Sequence, residues 1–335
     1  MKKNYFITGG TGSFGSKFAE IIIKKKLAKK IIIFSRDEFK QNEMKQLDFV
    51  KKNENIFRFF IGDVRDKSRL EYAITDKIDI IVHAAALKQV PATEYNPFEA
   101  VKTNIIGTQN IIETATLKNI RKVLCVSTDK AAAPINLYGS TKLTAERLFI
   151  AANNYKGSKK CMFSIARYGN VFGSRGSVVP LFLDQIKKKK QLTVTNSEMT
   201  RFDISLDNAI IFVLKCLNNM KGGEIFVPKL SSYRIRDLIK ALDVKKFKLV
   251  GIRSGEKIHE ELITSQERIR SLEKKDYFVI LPSFKNQNFI TKKNYSSYNS
   301  FSNSKFLSIK DLKLKIKKFK KINLFKLIFV YGIKR

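Results

Sequence analysis

The stretch Thr8-Gly9-Gly10-Thr11-Gly12-Ser13-Phe14-Gly15 lies between an apolar run at 5–7 and an amphipathic stretch at 14–26, and it limits the fold more than any other feature of the chain. Glycines at 9, 12 and 15 let the backbone turn tightly and approach a pyrophosphate closely. The helix that follows adds unpaired N–H groups and the positive end of its dipole. A glycine triplet alone says little. Placed after a first strand and before a first helix, it predicts the start of a dinucleotide-binding βαβ unit. Contacts to the cofactor are expected from Gly9, Thr11, Gly12, Ser13, Phe14 and Gly15.

The pattern downstream agrees. Runs at 5–7, 31–34, 56–61, 78–83, 122–126 and 162–166 read as buried parallel strands, with helical patterns between them. This alternation predicts an α/β fold: a Rossmann-type doubly wound parallel sheet with a smaller C-terminal substrate-binding lobe. Residues 1–168 are expected to form the dinucleotide-binding domain, with a returning helix near 203–220. Residues 169–282 are expected to form mainly the lobe, with helices at 181–190 and 235–242 and strands at 224–228 and 249–253. Residues 283–335 read as a polar linker and basic C-terminal tail, helical at 308–321.

The tail ends in an apolar stretch at 322–331. It suits a membrane surface or terminal packing, and the second reading is preferred. No leader segment is expected, and no apolar run is long enough to span a bilayer. Cys125, Cys161 and Cys216 fit neither a zinc pattern nor a disulfide framework, so no metal is expected and reduced thiols in the cytoplasm are. The formal charge of +35 is read as drift toward lysine rather than a nucleic-acid surface, because aromatic platforms are not interleaved with the lysines.

The second strand ends in Phe34-Ser35-Arg36-Asp37. Ser35 stands where an NAD enzyme usually has an acid for the ribose 2′-hydroxyl, and Arg36 suits a 2′-phosphate, which favours NADP. Asp37 is read as a helix N-cap. Asp63, after the third strand, suits either the adenine amine or a simple turn. After the fifth strand come Thr128-Asp129-Lys130 and then Tyr138-Gly139-Ser140-Thr141-Lys142. Tyrosine and lysine four apart on a helix share a face. The ammonium is expected to lower the phenol's pKa, so that the phenol can take a proton from an alcohol beside a nicotinamide.

With His83-Ala84-Ala85-Ala86 and Asn104, these marks resemble the extended short-chain dehydrogenase/reductase family over about residues 3–282. Within it, 85–91 (AALKQVP), 127–130, 134–138, 167–171, 173–180, 199–202 and 255–257 resemble the inverting UDP-N-acetylglucosamine 4,6-dehydratases. That resemblance implies a hydro-lyase that oxidises C4, removes water across C5–C6 and opens pseudaminic acid synthesis. Lys130 would be the C5 base and Asp129 would assist protonation at C6, with Thr128, Tyr138 and Lys142 completing the catalytic set. Lys40, Val64, Ala84, Ala85, Ala86, Lys88 and Asn104 would add to the cofactor site. Lys88, Asn170, Arg175, Val179, Arg201, Arg253 and Glu256 would hold a UDP-sugar, the arginines through bidentate bonds to the diphosphate.

A homo-oligomer without nucleic acid is expected. Gln89 and Asp203 depart from residues common in that subgroup, which have a histidine and an aromatic there. The readings that remain open are a related UDP-sugar 4,6-dehydratase/5-epimerase of capsule or O-antigen synthesis and a non-catalytic NADP-binding scaffold.

Overall fold

The computed structural model describes residues 1–75, 77–174, 176–284 and 296–331, with the side chains of 322–331 excepted. Arg175 and the segments 285–295 and 332–335 of the expected linker and tail lie outside the described residues. The chain divides into two compact units. The first is made of 1–168, 205–229 and 261–298, the second of 169–204, 230–260 and 299–335.

The first unit is built on a nine-stranded sheet. Its strands are β1 (Lys3–Thr8), β2 (Ala28–Ser35), β3 (Phe57–Ile61), β4 (Ile80–His83), β5 (Lys122–Thr128), β6 (Met162–Tyr168), β7 (Ile225–Pro228), β8 (Ser271–Glu273) and β9 (Tyr277–Ile280). Their order is β8-β9-β7-β6-β5-β4-β1-β2-β3. The pairs from β3 to β7 are all parallel, and β9 and β8 add antiparallel. Order 3-2-1-4-5-6 is that of a doubly wound dinucleotide fold, in which ligands bind beyond the carboxyl ends of the strands, where the order reverses between β1 and β4.

The central strands are apolar because helices cover both faces. Phe6, Ile7, Ile31, Ile33, Ile81, Val82, Val123 and Leu124 have no exposure. The returning helix Leu206–Asn219 starts at Ser205, whose side chain accepts from Asn208 N at 3.2 Å, and it packs beside the helix Ser13–Lys24. The sequence reading placed residues up to 282 mainly in the lobe; the contacts group 261–298 with the first unit, where β8 and β9 extend the sheet.

The second unit has a small core of Val179, Phe182, Leu192, Val194, Met199, Tyr233, Leu238 and Ile239, closed by Leu312 and Ile316. An antiparallel ribbon pairs Thr200–Asp203 with Ser231–Arg234, and a short parallel pair joins Leu192–Val194 to Phe247–Leu249. The strand expected at 249–253 therefore ends at Leu249, ahead of Gly251, which has φ +80°. The helix expected at 181–190 is Val178–Lys187. Pro180 fits in its first turn, where an N–H is not needed. The basic helix runs over Ile309–Tyr331, and Leu312 is wholly buried, so its first turns belong to the lobe core and are not a loose tail.

Candidate active site

The glycine turn opens directly from β1. Gly9 has φ +63°, and a Cβ there would come within 2.9 Å of Ala85 N. A Cβ on Gly15 would come within 2.5 Å of Gly10 Cα. These two glycines are therefore required by the protein itself. At Gly12 the nearest atom to an added Cβ is Gly9 O, at 3.1 Å. Gly12 is the N-cap of the helix Ser13–Lys24, with no side-chain cap and no acidic residue in the first turn. An exposed, uncapped N-terminus of this kind fits a dinucleotide pyrophosphate.

The Thr8 hydroxyl, missed in the sequence reading, fixes the neighbouring loop. It accepts from Ala84 N at 3.1 Å and Ala85 N at 3.2 Å, and lies 2.8 Å from His83 Nδ1. With two donors pointing at the oxygen, its own proton must go to Nδ1. His83 then carries its proton on Nε2, 3.2 Å from the Thr108 hydroxyl, which donates to Asn104 O at 2.6 Å. Burial, then the Lys142 charge, holds His83 down at about 3, so the ring is neutral and structural.

At the end of β2, Thr11 Oγ1 and Ser35 Oγ are 2.8 Å apart. Asp37 caps the helix Glu38–Lys45 by accepting from Lys40 N at 3.0 Å, and also pairs with Lys40 Nζ. Arg36 is more than half exposed and lies 3.8 Å from Asp63. Asp63 also accepts from Arg65 N at 3.0 Å and from Arg65 Nη2 at 2.8 Å. Those bonds fit the turn reading of Asp63. Val64 is buried against Gly107, and its carbonyl accepts from Asn110 at 3.0 Å.

Asn104 sits in a π-helical turn, Lys102–Ile106. Its amide donates to Leu87 O at 2.8 Å and Thr141 Oγ1 at 3.0 Å, and accepts from Leu87 N at 2.8 Å. Both amide protons are thus bound inside the protein, and Asn104 ties the loop after β4 to the helix Leu137–Tyr155.

That helix starts at Asn136, whose side chain accepts from Gly139 N at 2.8 Å. Gly139 is needed because a Cβ there would meet Lys130 O at 2.3 Å. The 128–130 loop and the helix start are therefore in direct contact. Tyr138 and Lys142 are both buried, and Lys142 Nζ donates to Val126 O at 2.9 Å. Tyr138 is hydrogen-bonded to the Thr128 hydroxyl. Thr128 donates to Asp129 Oδ1 at 2.9 Å, and Lys130 Nζ lies 3.2 Å from the same oxygen. Asp129 is fully buried. Tyr138, Thr128, Asp129 and Lys130 thus form one hydrogen-bonded chain, and Lys142 acts on the phenol through its charge. Burial raises the Tyr138 phenol above its ordinary value, while Lys142 and Lys130 pull it down. The net shift is opposite to the expectation, because desolvation outweighs the ammonium.

On β6, paired with Ser127 of β5, the fully buried Arg167 bonds Glu146 at 3.0 and 2.5 Å, Glu267 at 2.8 Å through each terminal nitrogen, and Leu262 O at 3.0 Å. Sequence reasoning missed this cluster, whose members are up to 121 residues apart in the chain.

The expected substrate residues fall in both units. Lys88 is exposed in the first. In the second, Asn170 is half-buried and Arg253 exposed. Arg201 is buried, donates to Thr200 O at 2.8 Å and Ile258 O at 2.9 Å, and lies 3.6 Å from Glu256 and 3.7 Å from Glu260. Arg201 and Glu256 therefore hold the 256–260 segment in place. The Val179 side chain lies in the lobe core, which leaves only its backbone to meet a ligand. His259 packs on Phe301, with 4.5 Å between ring centres. The three cysteines are free and buried. Among the described residues there is no metal-ligand cluster and no helix long and apolar enough to cross a membrane.

A sequence profile described as "Polysaccharide biosynthesis protein" matches residues 5–282. The "UDP-N-acetylglucosamine 4,6-dehydratase (inverting)" of Campylobacter jejuni strain 81-176 is 50% identical over 285 residues, 84% of each chain. A "UDP-glucose 4-epimerase" of Rickettsia bellii is 42% identical over 288 residues, 84% of this chain and 83% of that one. The X-ray structure of Pen from Bacillus thuringiensis superimposes with a TM-score of 0.86 at 37% identity, covering 95% of this chain and 98% of that one.

Proposed function

Because the chain belongs to the polysaccharide biosynthesis protein family, of the extended short-chain dehydrogenase/reductase type, we propose that it catalyses NADP-dependent 4,6-dehydration of UDP-N-acetylglucosamine with inversion at C5. The product is a UDP-2-acetamido-2,6-dideoxy-4-hexulose of the kind that feeds pseudaminic acid synthesis. The observation that carries this reading is the contact between Asp129 and Lys130, joined through Thr128 to Tyr138.

A bound NADP would accept the C4 hydrogen with its electron pair and later return it to C6. Gly9, Thr11, Gly12, Ser13, Phe14 and Gly15 would hold its pyrophosphate, and Ser35, Arg36 and Lys40 the 2′-phosphate side. The engagement of Asp37 in capping and in its pair with Lys40 supports NADP over NAD in this reading.

Tyr138 is the group assigned to take the proton from O4 as that hydrogen leaves, and Lys142 and Lys130 offset part of the rise that burial gives its phenol. The C4 ketone acidifies the C5 hydrogen, and Lys130 removes it. Asp129 gives a proton to the departing C6 oxygen. The two roles need a neutral amine and a protonated carboxyl at the same time. A touching pair reaches that state by moving one proton across 3.2 Å with no change in net charge. Burial of Asp129 brings the neutral pair closer in energy to the ion pair. Lys88, Asn170, Arg201 and Arg253 are assigned to the UDP-sugar.

The similarity to proteins named as 4-epimerases supports a second reading, in which C4 alone is oxidised and reduced. Incubation with UDP-N-acetylglucosamine separates the two. The dehydratase gives a product lighter by one water, with solvent deuterium at C5. Epimerisation leaves the mass unchanged and refutes the first reading, and an untouched substrate refutes both.

A further inference from the structure

The helix Ile309–Tyr331 lies wholly outside the stretch matched by the family profile, yet its inward face meets the lobe segments that carry Asn170 and Arg201. Phe319 lies over Gly173: an added Cβ on that glycine, with φ +72°, would fall 2.3 Å from the ring. Lys315 stands over the Phe172 ring at 5.2 Å and donates to Asp203 Oδ2 at 2.6 Å. On its other side Phe172 packs edge-on to Tyr233, with ring centres 6.4 Å apart, and its N–H donates to Ile204 O at 2.9 Å. The 171–173 turn is thus clamped between the ribbon strand and this helix.

Asp203 shares a strand face with Arg201, two residues earlier. It is nine-tenths buried, and its Oδ1 has no hydrogen-bond partner among the described residues. An uncompensated carboxylate there would oppose a diphosphate held by that face. Lys315 supplies the counter-charge. Burial raises Asp203, and Lys315 pulls it back.

We infer that Phe319 and Lys315 are positioning residues for the nucleotide sugar: the ring fixes the 171–173 turn beneath Asn170, and the ammonium neutralises Asp203 beside Arg201. This rests on the UDP-sugar reading above.

The test uses the full chain and UDP as the probe in calorimetry, with NADPH binding and melting temperature measured alongside. Lys315→Met should weaken UDP about tenfold and raise KM for UDP-N-acetylglucosamine to match, with kcat nearly unchanged. Lys315→Arg should behave as wild type, and Lys315→Met combined with Asp203→Asn should recover most of the affinity. Phe319→Ala should weaken UDP without touching NADPH, and Phe319→Leu should do so less. Unchanged UDP affinity in Lys315→Met and Phe319→Ala overturns the inference, as does a parallel loss of UDP and NADPH binding. If wild type binds UDP but forms no dehydrated product, the reaction assignment fails and the positioning role stands. A wild type that binds no UDP refutes both.

Discussion

Replacing Arg167 by methionine removes the cation that is hydrogen-bonded to both carboxylates of a buried cluster. In wild type the guanidinium makes five hydrogen bonds, four of them to carboxylates, and has no exposure to water. Arg167→Met leaves Glu146 and Glu267, both buried, without the guanidinium that bonds them, and with only the longer-range charges of residues such as Arg147 acting on Glu267. Removing one member of a buried ion pair costs about 3–5 kcal/mol, because the remaining charge is neither solvated nor paired. At roughly 2–4 °C per kcal/mol for a large domain, the melting temperature should fall by about 6–20 °C near neutral pH.

The pH dependence has a definite sign. In wild type, burial pushes Glu267 up, but Arg167 outweighs it and the carboxyl sits below its ordinary value. Its stabilisation is therefore full above the unfolded glutamate value and is lost only as pH falls through the lower folded one. In the variant Glu267 loses the pull of Arg167 and the effect of burial prevails, so acidification should return stability. Thermal melts of both proteins at pH 7.5 and pH 5.5 read this directly. The reasoning fails if the variant melts within about 2 °C of wild type at pH 7.5, where a cost of several kcal/mol is expected. It fails equally if the deficit is the same at both pH values.

Tyr138→Phe should lower kcat by about 10²–10⁴-fold while NADPH still binds, and single-turnover oxidation of the sugar is the measurement. Lys130→Ala should abolish deuterium uptake at C5 with cofactor affinity intact, as followed by NMR of the sugar. Arg36→Ala should weaken NADP by about tenfold, one charge-assisted contact, and leave NAD unaffected in fluorescence titrations. Gly15→Ala places a Cβ within 2.5 Å of Gly10 Cα, so nucleotide binding should be lost even where a soluble protein is recovered.

What sequence could show depended on whether the signal was local. The glycine turn and the Tyr138/Lys142 helix are written in short stretches with fixed spacing, and β1, β2 and β4 to β6 are long or apolar enough to be seen. β8 and β9 are three and four residues long, and β9 finds its parallel-sheet neighbour β7 some fifty residues earlier, so no periodicity marks them. Leu312, Ile316 and Phe319 follow a helical spacing, but the lysines around them made the segment look like a solvated tail. At the site, the residue types were legible and their partners were not. Nothing in the sequence couples Thr8 to His83, or Arg167 to Glu146 and Glu267, because those bonds depend on strand order and helix packing.

The first unit is assembled from three separated stretches. This matters while the chain is being made. When β6 leaves the ribosome, the strand that will cover its far edge, β7, is still about sixty residues away. At about 5–20 residues per second, that edge, with Phe163 and Ile165 beside it, waits some 3–12 s for its neighbour. The interval is long enough for a chaperone to bind there, and cutting the gene near residue 170 would leave the same edge permanently open to aggregation.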